Sequence, residues 1–338
     1  MPVIGQTYLN LIDVYKRTED GQQAAAIIEM LKQMNPVLDD AIAVECNMGT
    51  IHRHTIRTGL PSVAWGRLYQ GTPQSKSNTQ QVDDTTGFLE AMSSVDTRLL
   101  DLAPMGNRGA IRLSEATAFL EAMNQEMASS LFYSSTDNTP EKFRGLAARY
   151  NSLTGANAST SASQIIDAGG TGSTNTSVWF VTWGDQYTSL LYPKGTQAGI
   201  KREDMGRQRI TDAAGNPFFV EEEKFTWHMG VAVKDWRYNA RIANLDISAV
   251  RAGSVDLFRQ MRRAYYRLQS RRVAGGKMAI YCNREVLEAL DALSTNNGTT
   301  NNFIQLRPDE IAGKEVLTYR GIPIRETDAI LNTEARVV

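Results

Sequence analysis

The sequence predicts an α+β fold rather than a strictly alternating βαβ one. An uninterrupted helical pattern covers 112–133, a compact apolar run covers 177–184, and turn residues near 212–216 and at Gly321 separate strand-like segments. In the helical stretch, RLSEATAFLEAMNQEMASSLFY, Leu113, Ala116, Leu120, Met123, Met127 and Leu131 recur at steps of three and four, which is one helical stripe. Ser114 reads as its cap, so that Glu115 falls in the first turn, where the helix dipole favours negative charge. Asn124, Gln125 and Glu126 lie on the polar side. At about 1.5 Å per residue the segment makes a rod ~30 Å long, enough to brace a domain as a spine.

The other elements follow in order. Residues 7–34 read as two helical pieces, the second from Ala24 to Met34, broken at Glu19–Gly21, with Pro36 ending the second. Such an arm packs on its own body or lies on a neighbouring subunit. Leu38 to Cys46 is a short helical or extended lead-in. From Thr50 the chain alternates and is rich in β-branched and aromatic residues, then turns polar from Gln70 to Thr86. This predicts a long two-stranded excursion whose return strand ends near Met92. An isolated ribbon is marginal in water, so a neighbouring subunit is expected to cover it.

Ser177 to Gly184 reads as a buried strand and Tyr187 to Pro193 as its partner. The turn at Asp212–Asn216 makes a hairpin between Ile210 and Phe218. A long strand-rich segment runs from Phe225 to Ile247. Ser254 to Leu268 is a helix with Val255, Phe258, Met261, Tyr265 and Leu268 on one face. Met278 to Cys282 is a strand, Arg284 to Leu293 a helix, and 296–302 a polar loop. Strands 315–320 and 322–325 close the chain around Gly321.

Composition limits the function. The chain has 338 residues, enough for one elaborate domain or two to three intertwined ones. Lys and Arg total 36 against 37 Asp and Glu, and a net charge of -1 argues against coating nucleic acid by bulk charge. Cys46 and Cys282 stand too far apart in sequence for a disulfide framework or a clustered zinc site, and read as buried, inert thiols. With no apolar leader and no membrane-length apolar stretch, a soluble, intracellularly made protein is expected.

Catalytic constellations are missing. Histidines are confined to His52, His54 and His228, and no GxSxG elbow occurs. His52 and His54 share one strand face without a third metal ligand nearby in sequence, so no metal and no cofactor is expected. The Gly-rich 167–177 stretch lacks a P-loop pattern and precedes a strand, so it reads as structural. Glu221–Glu223 reads as a solvated strand end. Arg259, Arg262, Arg263 and Arg267 form a basic patch opposite their helix's apolar face, able to meet phosphates or a neighbour's carboxylates.

PSVAWGRLYQG (61–71), FLEAMSSVD (88–96), the spine segment, EKFRGLAARYN (141–151), DAGGTGSTNTSVWFVTWG (167–184), YPKGTQAGIKREDMG (192–206) and DWRYNARIANLD (235–246) stand in this order. Together, over about residues 50–330, they resemble the major capsid proteins of tailed bacteriophages, in the short-tailed, podovirus-type group. The resemblance implies the Hong Kong 97-type (HK97-like) capsid fold. Its parts would be an N-terminal arm at 1–49, an E-loop at 50–92, and a peripheral (P) domain at 93–140 with the spine at 112–134. An axial (A) domain would take 141–221, P-domain strands 222–250, and the A-domain and closing strands 251–338.

The implied function is self-assembly, as hexamers and pentamers, into an icosahedral phage head around double-stranded DNA; the chain would be made in the host cytoplasm and end in the virion. The implied partners are further copies of the chain, a portal protein, packaged DNA on the inner surface and, in some heads, a cement or decoration protein. A separate scaffolding protein is implied because no substantial N-terminal scaffolding region is seen. No membrane partner is expected. On the E-loop, Trp65, Arg67 and Tyr69 are candidate anchors on the adjacent subunit; ordinary strand packing is the plain alternative. Gln70, Gln74, Asn78, Thr79 and Gln81 are candidate hydrogen-bonding contacts. Some relatives weld subunits through Lys and Asn side chains; Lys76 lies in the loop, but no cross-link is expected. The rival readings are an encapsulin-type compartment shell, a DNA-binding module and an enzyme.

Overall fold

The computed structural model describes residues 18–19, 23–24, 33–102, 108–154, 161–212, 214–271, 273–296, 307–311 and 314–338. In the arm, β1 (Thr18–Glu19) pairs antiparallel with β2 (Gln23–Ala24) across the expected break, so Ala24 begins no helix. The expected helical pieces otherwise lie outside the described residues. Pro36 occupies the N-cap of α1 (Val37–Asp40), so it starts a helix instead of ending one. Its fixed φ suits that place, and its missing N–H costs nothing there.

After β3 (Ala43–Glu45) comes the excursion. β4 (Ile51–Gly59) rises, residues 60–77 form an irregular tip, and β5 (Asn78–Asp96) returns. β5 runs beyond the expected Met92 because it has two successive partners. Asn78 to Thr85 pairs with β4. Thr86 to Asp96 pairs with β10 (Pro217–Val233), whose other edge carries β9 (Ile200–Thr211). The changeover point is crowded: a Cβ on Gly87 would stand 2.8 Å from the Glu141 carbonyl oxygen, and one on Gly230 2.7 Å from that of Thr85. Only glycine lets the backbones approach this closely.

α2 (Thr97–Leu102) leads to the spine, α3 (Arg108–Tyr133). Ala116, Met123, Met127 and Leu131 are buried as the stripe predicts, and Phe225 of β10 packs on the first two. Leu113 is not: it is 60% exposed. The cap prediction also fails, since the helix begins at Arg108, Ser114 lies inside it with its Oγ donating to the Ile111 carbonyl at 2.9 Å, and Glu115 is past the first turn. The acidic run of β10 supports the extra turn. Glu221 bonds Arg108 at 2.7 Å and Arg112 at 3.2 Å; Glu223 bonds Arg112 at 2.6 Å and Arg202 at 2.8 Å. Glu223 is buried in mid-strand, so the run is a clamp on the spine and not a solvated end.

The body follows as α4 (Leu146–Arg149), β6 (Ile165–Asp167), β7 (Asn175–Trp183), β8 (Thr188–Tyr192), β9, β10 and β11 (Ala240–Asp246). Then come α5 (Ile247–Arg251), α6 (Leu257–Arg267), β12 (Lys277–Cys282), α7 (Arg284–Asn296), β13 (Arg307–Ile311), β14 (Lys314–Tyr319) and β15 (Ile322–Glu326). β7 is buried along its whole length and separates two cores. Trp179, Val181 and Trp183 face Phe132, Tyr150 and Tyr281; Val178 and Phe180 face the apolar sides of α6 and α7. The expected β7–β8 pairing reduces to one parallel pair, Trp183 with Thr188. β8 pairs instead with β10 and β3, which lets it join the body to the sheet beneath the spine.

The predicted hairpin forms with Ile210 opposite Phe218, and Asp212 Oδ1 accepts from the Ala214 and Asn216 amides. β14 and β15 close antiparallel around Arg320 and Gly321, both at positive φ. β15 then lies parallel to β12. Cys46 and Cys282 are buried and free, and burial pushes the Cys282 thiol up to about 12. Among the described residues no helix is long and apolar enough to cross a membrane.

Candidate assembly surface

The excursion divides into a rigid root and a bare tip. At the root, Arg53 of β4 grips Asp83 of β5 with two bonds of 2.7 Å, while Asn47 bonds both the amide and the carbonyl of Arg53. Asp84 is buried and accepts from Arg149 Nη2 at 2.7 Å; the same nitrogen reaches the Val231 carbonyl at 2.8 Å. One guanidinium thus ties the ribbon to α4 and β10.

His52 and His54 share the inner face of β4, as expected, with ring centroids 6.3 Å apart. Burial, reinforced for His52 by Lys234, lowers both imidazole pKa values; His54 is also disfavoured as a cation by His52, Lys234 and Arg149. His54 Nδ1 stands 3.8 Å from Asp84 Oδ2, beyond hydrogen-bond reach. Among the described residues no group of three or more His, Cys, Asp and Glu is placed to hold a metal.

The tip is the reverse. Trp65 is 98% exposed, and Leu60, Val63, Leu68 and Tyr69 are bare beside it. Trp65, Arg67, Tyr69, Gln70 and Gln74 all lie in the irregular segment, so ordinary strand packing does not describe the three candidate anchors. Asn78 and Gln81 stand on β5, opposite Gly59 and Thr55; both are exposed, as are Lys76 and Thr79. The fold brings the seven candidates onto one excursion. Locally, Ser75 Oγ donates to the Ser62 carbonyl across the tip, and Tyr69 adopts a positive φ of 64°.

A solvent-facing ribbon rooted in a sheet, a long spine helix over that sheet, and a β-centred body are the parts of an HK97-like capsid fold, and the class is that of shell-building proteins. The particular family is shown by a family model described as "Major capsid protein GP7", which matches residues 18–338. The chain belongs to the major capsid protein GP7 family.

A chain in a cryo-EM structure of bacteriophage Epsilon15 is similar at 34% identity and a TM-score of 0.79, with 100% of this chain and 99% of that one covered. The capsid of an empty GTA particle is similar at 11% identity and a TM-score of 0.44, covering 67% of this chain and 95% of that one. An encapsulin of Synechococcus elongatus PCC 7942 is similar at 12% identity and a TM-score of 0.38, covering 70% and 96%. No curated protein sequence matches the chain.

The root residues Asp84 and Arg149 were not legible as a functional pair. They stand 65 positions apart, and no local motif joins them.

Proposed function

We infer that this capsid protein is the repeating unit of an icosahedral phage head around double-stranded DNA, assembled as hexamers and pentamers whose contacts run through the excursion. The observation that carries this reading is the tip: five large apolar side chains, from Leu60 to Tyr69, stand bare on a root held by ion pairs. Exposed apolar surface gathered in one place marks an interaction site, and the rigid root lets the tip dock without first being ordered. Trp65, Arg67 and Tyr69 are the anchors on an adjacent copy, with Gln70, Gln74, Asn78 and Gln81 as polar contacts around them.

The same reading assigns the arm to 1–49, the P-domain to 93–140 with the spine and to the strands of 222–250, and the A-domain to 141–221 and, with the closing strands, 251–338. The role is structural and not catalytic, as family membership supports. A scaffolding protein, a portal protein and a cement protein are the partners such a shell uses. The GP7 match favours the phage head over an encapsulin-type compartment.

Co-expression with a candidate scaffolding protein, followed by electron microscopy and sedimentation, tests the reading. Closed shells of uniform diameter are expected. Trp65→Ala should leave the melting temperature of the unassembled subunit unchanged, because the side chain touches nothing in its own chain, and should lower shell yield. Unchanged yield would remove Trp65 from the interface.

A further inference from the structure

The sequence singles out the arginines of α6, and the shell reading leaves them unused. Arg259, Arg262, Arg263 and Arg267 stand with Tyr266 on the outer face of the helix, all exposed, while Phe258, Met261 and Ala264 fill the core beneath. Two further arginines extend the face at its C-terminal end. Arg271 lies 4.9 Å from the Tyr266 ring centroid. Arg320, held at a positive φ of 53° in the β14–β15 turn, lies 5.0 Å from that of Tyr265 and 5.3 Å from that of Tyr266. Arg320 also donates to the Tyr266 hydroxyl at 3.2 Å.

Among the described residues none of these six guanidinium groups pairs with a carboxylate, whereas Arg53, Arg112, Arg202, Arg241 and Arg284 all do. Among the described residues their hydrogen-bond partners are neutral. Arg263 bonds Gln260, Arg267 bonds the Ser163 carbonyl, and Arg271 bonds the Tyr266 carbonyl. The hydrogen bond from Arg320, and after it the charges of Arg320, Arg271 and Arg262, lower the pKa of the Tyr266 hydroxyl.

Like charges three and four residues apart on a helix repel, as Arg259 does with Arg262 and Arg263, and Arg263 with Arg267. An external polyanion relieves that repulsion. Guanidinium groups match phosphate oxygens in pairs and shed their hydration readily, and stacking on tyrosine holds two of them ready. Arginine interleaved with exposed aromatic rings is the surface chemistry of nucleic-acid binding. We propose that the outer face of α6, with Arg271 and Arg320, binds the phosphate backbone of nucleic acid. The net charge of -1 is no obstacle, because these cations are gathered on one face. The proposal rests on the shell reading for the polymer it meets, packaged double-stranded DNA.

The test uses full-length unassembled subunits and a labelled random-sequence DNA duplex, followed by fluorescence anisotropy between ~50 and ~200 mM salt. Binding should weaken steeply with salt. Arg262→Glu with Arg263→Glu should lower affinity at least ~10-fold and flatten the logarithmic salt slope by about 2. Arg262→Gln with Arg263→Gln should shift both in the same direction, and serves if the charge-reversed protein does not fold by circular dichroism. Lys201→Gln, on β9, should change neither.

Duplex affinity unchanged in both double variants overturns the proposal. So does tighter binding of a poly-glutamate peptide than of the duplex, which would make the face a dock for an acidic protein. Retained duplex binding with lost shell assembly also overturns it, making the face a contact between copies. Wild-type shells are scored separately by electron microscopy, so absent shells count against the shell reading, and unchanged affinity counts against this one alone.

Discussion

Arg241 Nη2 donates to Glu334 Oε2 at 2.8 Å, and both side chains are only 4% exposed. The pair closes a network. Glu334 also accepts from the Tyr133 and Ser177 hydroxyls, while Arg241 donates to the Tyr150 carbonyl at 2.7 Å and lies 4.9 Å from the Trp179 ring. The C-terminal segment, the end of the spine, β7 and β11 therefore meet at one buried ion pair.

Glu334→Ala leaves Arg241 charged and buried without its carboxylate, which costs about 3–5 kcal/mol. Urea unfolding of the unassembled subunit measures it. A loss below about 1 kcal/mol would show that the pair does not hold the C-terminal segment.

Glu223→Ala should loosen the start of the spine. Arg112 and Arg202 lose a shared buried carboxylate, at a cost of about 1–3 kcal/mol. Hydrogen exchange should rise in 108–116 and stay unchanged near Leu131. Uniform change along the helix would contradict the clamp.

Gly87→Ala should cost about 1–3 kcal/mol, because its Cβ meets backbone that cannot swing aside as a side chain can. Ala91→Gly, further along the same strand, changes no such contact and serves as the comparison. Equal melting temperatures for Gly87→Ala and wild type would show that the crossing has slack.

The ribbon root should weaken in acid. Burial disfavours the cationic forms of His52 and His54 in the folded chain, so below about pH 6.5 the unfolded chain binds more protons. Stability contributed by the neutral rings is complete above that pH and falls as pH drops toward the lowered folded values. The surrounding charges are Asp84, Arg149, Lys234 and Asp185. His52→Gln with His54→Gln should reduce the loss of protection in 51–59 between pH 7 and pH 5, read by hydrogen exchange corrected for intrinsic rate. An unchanged loss would place the acid sensitivity elsewhere.

Local pattern carried much of this fold. The apolar run at Ser177, the Asp212 turn, Gly321 and the stripe through Met123 and Met127 each declare their element within a few residues, because burial and backbone conformation act locally there. The failures share the opposite cause. Ser114 reads as a cap only while Glu221 and Glu223, which pair with Arg108 and Arg112, are out of sight, more than a hundred positions away. Glu221–Glu223 reads as solvated for the same reason. The partners of β8 and the Asp84–Arg149 tie are tertiary facts with no local trace. On the excursion, the chain's polarity announces the long return strand and the Gly59–Leu60–Pro61 punctuation marks the end of the ladder, while Val63, Trp65 and Tyr69 keep a strand-like texture where no strand forms.

β5 passes from the ribbon into the sheet beneath the spine without a joint. A sideways pull at the tip therefore becomes twist in that sheet and is not absorbed by a hinged flap. Each docked copy would register the tilt of its neighbour through one unbroken backbone. A lattice of such units would carry shear as woven cloth does, by tension along threads that cross from one cell into the next.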